Sequence, residues 1–251
     1  MDVERIFPKG LSVVSSYQDA KWVQDALNSY HVSGNRGLGF VIPIGFESYI
    51  SIRRSNPEDN QNYSTSQEDC AEDLNKILDK FTSPEKSCFV AIWNGFGWSF
   101  EEEYGNFYNS KRSASNGFFT SENIFVPYFK TPFREYYLLK CPLFESSKFG
   151  RFKWKYFSKV PANIYWPESK EWFVSNEIDY DVTLIGGDEK LILEIEKSGK
   201  FITERFDPRK SGSEIYLAPP MVFTDSQTPD KSPIQIFWDA VTKHIPKRRI
   251  F

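Results

Sequence analysis

Three short runs hold most of the side chains that could do chemistry. In Asn176–Ile185 (NEIDYDVTLI), Glu177, Asp179 and Asp181 occupy every second position. On an extended strand such residues share one face, with two positions spanning roughly 6.6 Å. Neighbouring carboxylates at that spacing can share a hard cation such as Mg²⁺ or Ca²⁺. The same alternation also describes an ordinary antiparallel strand with one solvated face. In Phe149–Phe157 (FGRFKWKYF), Arg151, Lys153 and Lys155 alternate with Phe152, Trp154 and Tyr156. Cations interleaved with rings suit a single-stranded nucleic acid. Read as one strand, however, the run sends rings and cations to opposite faces, so it cannot stack bases and hold phosphates together. Such a strand would instead offer cross-strand ion pairs to the acidic one. The third run, Asn94–Phe100 (NGFGWSF), sets Phe96, Trp98 and Phe100 among glycines and is followed by Glu101, Glu102 and Glu103. Aromatic side chains at a loop tip are efficient binding anchors; the plainer reading is a hairpin whose rings pack onto a sheet.

Other chemistries find little in the chain. A Ser or Cys nucleophile needs an activating base, and the 2 histidines, His31 and His244, stand alone, the second in a basic tail (KHIPKRRIF). There is no GxSxG, HExxH or P-loop pattern. Cys70, Cys88 and Cys141 show no CxxC spacing, which argues against zinc and against a disulfide framework. Cys88 and Cys141 lie in apolar segments and read as small buried hydrophobes. Gly186-Gly187 before a helix has the look of an anion-binding turn, but Asp188 and Glu189 would fill its amides and repel phosphate. The net charge of -3 over 251 residues argues against general binding to nucleic acid. No run approaches the roughly 18 apolar residues of a membrane span, and the first residues lack a signal peptide's apolar core.

With 40% hydrophobic residues, 17% of the chain being Phe, Tyr or Trp, the sequence can bury a large core. Four helices are expected. One follows Ser16, with Trp22, Val23, Ala26, Leu27 and Tyr30 at helical spacing. A second starts at a Thr65/Glu68 capping box and carries Ala71, Leu74, Ile77, Leu78 and Phe81. A third is capped by Asp188, buries Leu191, Ile192 and Ile195, and ends at Gly199. A fourth has Ser232 as cap and Pro233 at its first position. Strands are expected over Gly39–Ile42, Glu47–Arg53, Cys88–Trp93, Arg134–Lys140, Phe149–Phe157, Asn163–Trp166, Glu171–Ser175, Glu177–Ile185 and Phe201–Phe206. Strands outnumber helices without regular alternation. That predicts one α+β domain over residues 1–251: a mainly antiparallel central sheet, about four flanking helices, and loops near 55–66, 101–116 and 219–232.

Several segments resemble an uncharacterised family of bacterial proteins, mostly actinobacterial. Phe40–Ile52 (FVIPIGFESYISI) resembles its Pro-Gly-Phe-Glu-Ala-Tyr motif, with Ser48 in place of Ala. Cys88–Trp98 (CFVAIWNGFGW) and Phe133–Leu143 (FREYYLLKCPL) are similar to two further motifs. Pro161–Gly187 is similar to its Trp-Trp-Pro…Trp-Cys…Glu-Ile-Asp…Gly-Gly block, with Tyr165 replacing the first Trp, Phe173 replacing Cys, and Lys170 near the usual Arg. The resemblance implies an intracellular bacterial protein and places Glu177 and Asp179 in the signature block; it implies no activity, cofactor or catalytic residue.

The expectation from the sequence is therefore a cytoplasmic, non-enzymatic protein-binding protein without catalytic residues, cofactor or metal. Its concrete form is an immunity protein that neutralises a bacterial toxin through Phe96, Trp98, Glu101, Glu177, Asp179 and Asp181. The alternative is a metal-dependent hydrolase using the carboxylates of the acidic strand.

Overall fold

The computed structural model describes residues 8–33, 37–53, 63–83, 86–93, 112–113, 117–119, 125–153, 156–176 and 182–210. Its strands are β1 (Ser12–Val13), β2 (Ser48–Arg53), β3 (Ser87–Trp93), β4 (Arg112–Ser113), β5 (Gly117–Phe119), β6 (Phe125–Lys130), β7 (Glu135–Pro142), β8 (Phe149–Lys153), β9 (Tyr156–Val160), β10 (Ile164–Pro167), β11 (Phe173–Ser175), β12 (Val182–Gly187) and β13 (Ile202–Arg205). Three α-helices accompany them among the described residues: α1 (Gln18–Val32), α2 (Tyr63–Leu78) and α3 (Glu189–Lys197). The fold is α+β. An open sheet runs in the order β13-β2-β12-β11-β10-β3-β7-β6-β5-β4, with β1 also on β7, while β8 and β9 form a separate pair. Every pairing among the described residues is antiparallel.

Period-two alternation explains the layering. Ile50 and Ile52, Val90 and Ile92, Leu139 and Cys141, Tyr165, Val174 and Ile185 point to one face, where they meet Leu74, Ile77 and Leu78 of α2 and Leu191, Ile192 and Ile195 of α3. Their sequence neighbours Tyr49, Phe89, Ala91, Leu138, Ile164, Trp166, Phe173 and Leu184 point the other way, onto Ala20, Val23 and Leu27 of α1 and onto Leu38, Val41 and Ile42. Strands covered on both faces read as unbroken apolar runs such as CFVAI. Each large apolar side chain so buried stabilises the fold by about 1.5–3 kcal/mol.

The third expected helix forms as its cap requires: Asp188 Oδ1 accepts from Leu191 N–H at 2.7 Å. It ends before Gly199, whose φ of +62° suits a residue without a Cβ. Other expectations are corrected. α2 starts at Tyr63, so Thr65 lies inside the first turn; Tyr63 and Ser64 break no helix, and it propagates past the local signal. Gly39–Ile42 is not a strand. Leu38–Phe40 is a 3₁₀ turn closed by Val41 and Ile42 N–H on Leu38 O. A Cβ on Gly39 would come within 2.5 Å of the Tyr30 ring, so glycine permits this close approach to α1. Phe149–Phe157 is not one strand but most of a hairpin, with Lys153 opposite Tyr156. Its alternation continues from Arg151 to Tyr156 without a Gly or Asn to divide it. The expected fourth helix lies outside the described residues.

Candidate functional site

All six residues expected at a binding site, Phe96, Trp98, Glu101, Glu177, Asp179 and Asp181, lie outside the described residues, as do Lys155 and His244. What the structure places is the strand ends that flank them. Trp93, the residue before the aromatic run, ends β3. Asn176, the residue before the acidic run, follows β11, and Val182, just after it, begins β12. These ends are linked through Asn163. Its carbonyl accepts Asn176 N–H at 2.6 Å, and its side-chain Oδ1 accepts Trp93 N–H at 2.9 Å. Asn176 Nδ2 donates to Ala162 O at 2.8 Å, and Thr183 Oγ1 donates to Asn176 Oδ1 at 2.6 Å. Asn163, Asn176 and Thr183 are all buried. Trp93 and Asn176 thus sit close together at one end of the sheet, a juxtaposition that no sequence spacing revealed. Asparagines just outside two apolar strands were the available signal.

The described strand pairs do not include the acidic residues themselves. β12 has β11 on one edge and β2 on the other, and β8 pairs β9. The described part of the acidic strand, Val182–Gly187, is buried throughout. Trp93 also carries the Arg134 guanidinium 4.6 Å over its ring, a cation–π contact at the same end. Asn176 and Thr183 line a crevice with Cys70, Tyr165 and Pro161 that is too narrow to admit a water molecule.

The rejected anion turn has a packing explanation. A Cβ on Gly186 would stand 2.6 Å from the Phe46 ring, and one on Gly187 2.7 Å from Leu191. The amides that follow are filled by carboxylates, Leu191 N–H by Asp188 and Glu189 N–H by Glu47 at 3.1 Å. Cys88 and Cys141 face each other across β3 and β7, both buried. A side-chain hydrogen bond with Cys88, then burial, pushes the Cys141 thiol well above its ordinary range. A thiol held protonated and buried is inert. His31, exposed at the end of α1, packs edge-on to Phe133 at 4.9 Å. Among the described residues no group of three or more His, Cys, Asp or Glu could hold a metal ion, and no helix is long and apolar enough to cross a membrane.

The class that fold and site ends define is an α+β protein with an open antiparallel sheet. Comparison with known proteins adds nothing to it: no family model, no curated protein and no solved structure matches the chain. The residues that carry the resemblance noted above are largely core. Tyr165, Trp166, Trp172 and Phe173 are fully buried, with Trp166 stacked on Phe173 at 5.9 Å.

Proposed function

We propose that this is a non-enzymatic protein-binding protein of the cytoplasm, in its most concrete form an immunity protein that neutralises a bacterial toxin. The observation that supports the reading is the common anchorage on Asn163 of Trp93 and Asn176, the residues that precede Asn94 and Glu177 in the sequence. Aromatic anchors ringed by carboxylates suit a basic partner. Rings supply desolvated contact area, and charge of opposite sign speeds encounter.

The test is a pull-down with the full-length protein from its native host, paired with a version carrying Trp98→Ala and Asp179→Lys. A stoichiometric protein partner captured by the first and lost by the second is expected. No partner, together with flanking genes free of toxins, would remove the proposal. Calorimetric titration with Mg²⁺, Mn²⁺ and Ca²⁺ covers the competing reading. Saturable binding at millimolar metal or below, abolished by Asp179→Asn, would replace it with a metal-dependent hydrolase built on Glu177, Asp179 and Asp181.

A further inference from the structure

Strand β13 ends the described sheet. It pairs with β2, and among the described residues no strand lies on its other edge. Just past the strand, Phe206 N–H donates to Tyr49 O of β2 at 3.3 Å. Backbone groups alternate between the two edges of a strand in an antiparallel ladder. Ile202 and Glu204 therefore also bond toward β2, and Phe201, Thr203 and Arg205 turn their amides and carbonyls outward. Apolar surface flanks that open edge on both faces. Toward α3, Arg205 donates to Glu196 at 2.7 Å and to Glu189 at 3.0 Å. Leu193 lies on the same helix face, between those two glutamates, and is 36% exposed. On the opposite face of the strand, Ile202 is 55% exposed. A row of open backbone donors and acceptors with apolar side chains on either side of it is a template for an added strand.

We infer that β13 is the contact through which two copies of this chain join, edge to edge, into one continuous antiparallel sheet. A second copy is selected because the edge complements itself. In such a pair outward-bonding residues face one another, so the two-fold axis passes through a residue. With the axis at Glu204, two carboxylates stand face to face; with it at Thr203, Ile202 meets the partner's Glu204. With the axis at Ile202 the fit is better. The exposed isoleucine covers the partner's Ile202, Phe201 exchanges hydrogen bonds with the partner's Thr203, and Lys200 stands opposite the partner's Glu204. Lys200 leads into the strand and shares Asp73 with Lys76, at 2.7 and 2.8 Å, so it can turn to a second carboxylate while Asp73 keeps a cation. Charges on an edge strand commonly guard it against pairing. Here Arg205 is drawn onto α3, and Glu204 gains a cation from the partner. The edge from Lys200 to Glu204 falls short of the roughly 1,200 Å² of a standard interface, so the dimer is a concentration-dependent one, in the micromolar range.

The test is sedimentation velocity on the full-length chain across the micromolar range, where a dimer that grows with concentration is expected. Ile202→Lys sets like charges across the axis and should weaken it about tenfold or more. Thr203→Pro removes an outward N–H and none that β2 uses, so it should abolish the dimer and leave the fold intact; unchanged tryptophan fluorescence checks the fold of each variant. Glu204→Lys should weaken the dimer by a similar factor, and the double variant Lys200→Glu/Glu204→Lys should recover it, as the register centred on Ile202 requires. A monomer at every concentration would overturn the inference, whether Thr203 N–H then exchanges freely or is protected by another part of the same chain. A dimer indifferent to Ile202→Lys and Thr203→Pro would also overturn it, because its interface would lie elsewhere. Failure of the double variant to recover the dimer would overturn the register. A pull-down that yields no partner would end the protein-binding reading but leave these results standing.

Discussion

One face of the sheet is covered by α2 and α3, the other by α1 and the irregular segment 38–46, and the side chains beneath the two covers differ accordingly. Under the pair of helices the filling is mostly aliphatic, with Leu, Ile and Val interdigitating. Under the single helix buried rings are more numerous, Tyr49, Phe89, Phe129, Tyr136, Trp166 and Phe173 against Phe149, Tyr165 and Trp172 on the other face, with Trp22 edge-on to Trp166 at 6.1 Å. Polar groups differ as well. On the α2/α3 side the buried Asn75 of α2 donates to Leu143 O and to the Ser146 hydroxyl, and ion pairs such as Lys80–Glu194 at 2.5 Å and Lys200–Asp73 at 2.7 Å lie outside. An irregular cover has orphan amides. Two buried tyrosines serve them: the Tyr49 hydroxyl accepts from Gly45 and Phe46 N–H and donates to Pro43 O, and the Tyr30 hydroxyl accepts from Gly37 N–H and donates to Pro208 O.

This contrast can be broken, beginning where it predicts the most. Trp166→Ala is expected to cost about 3–5 kcal/mol in urea unfolding, and Leu74→Ala on the opposite face about 2–5 kcal/mol. If the tryptophan variant proved the cheaper, the aromatic face would not be the more heavily packed one. Next come the hydroxyls. Tyr49→Phe leaves two amides without an acceptor and should cost about 1–3 kcal/mol, with faster hydrogen exchange at Gly45 and Phe46. Unaltered exchange there would show that the irregular cover does not depend on the hydroxyl. Asp188→Ala, which uncaps α3, is expected to cost about 1 kcal/mol; calorimetry should show it, and Asp188→Ser should recover most of it.

The ion pairs outside α2 and α3 should matter least. Arg205 hydrogen-bonds Glu196 and Glu189 and holds both carboxyls below their ordinary range, as Lys200 and then Lys76 do for Asp73. A carboxyl whose folded value is lowered contributes stability above its unfolded value, near 4, and loses it as the pH falls through the lower folded one. Arg205→Met should therefore reduce the melting temperature slightly at neutral pH, and the gap from wild type should close below about pH 4. A gap that persisted in acid would mean Arg205 acts through packing of its stem.

How much of this was legible depended on the range of the signal. Helix α3 could be read from Asp188, its apolar triplet and Gly199, because cap and stripe are local. Six of the expected strands appear with ends shifted by a residue or two, since apolar runs flanked by Gly, Pro or Asn mark strands that are buried twice over. The pairing of Phe149–Lys153 with Tyr156–Val160 was not legible because the alternation of rings and cations runs unbroken through both segments, with no Gly, Pro or Asn after Gly150 to divide them. The turn at Leu38–Phe40 was not legible because the packing of Gly39 on the Tyr30 ring is a contact in space that no apolar pattern encodes. For the candidate site, the residue types of the two runs were visible, whereas their shared anchor was not. An asparagine that replaces a backbone acceptor for another strand has no periodicity and no motif.

By itself the sequence determined the α+β class, the apolar stripes of three helices, the capping of α3 and the poverty in histidine and paired cysteine. These follow from nearest neighbours along the chain. Tertiary structure alone decided that the sheet is covered on both sides, that buried rings are more numerous on the α1 face, that Cys88 opposes Cys141, and that Trp93 and Asn176 meet at Asn163. Each of those depends on strand order, which is set by which buried surfaces and orphan amides find partners across the whole chain, and no local pattern encodes it.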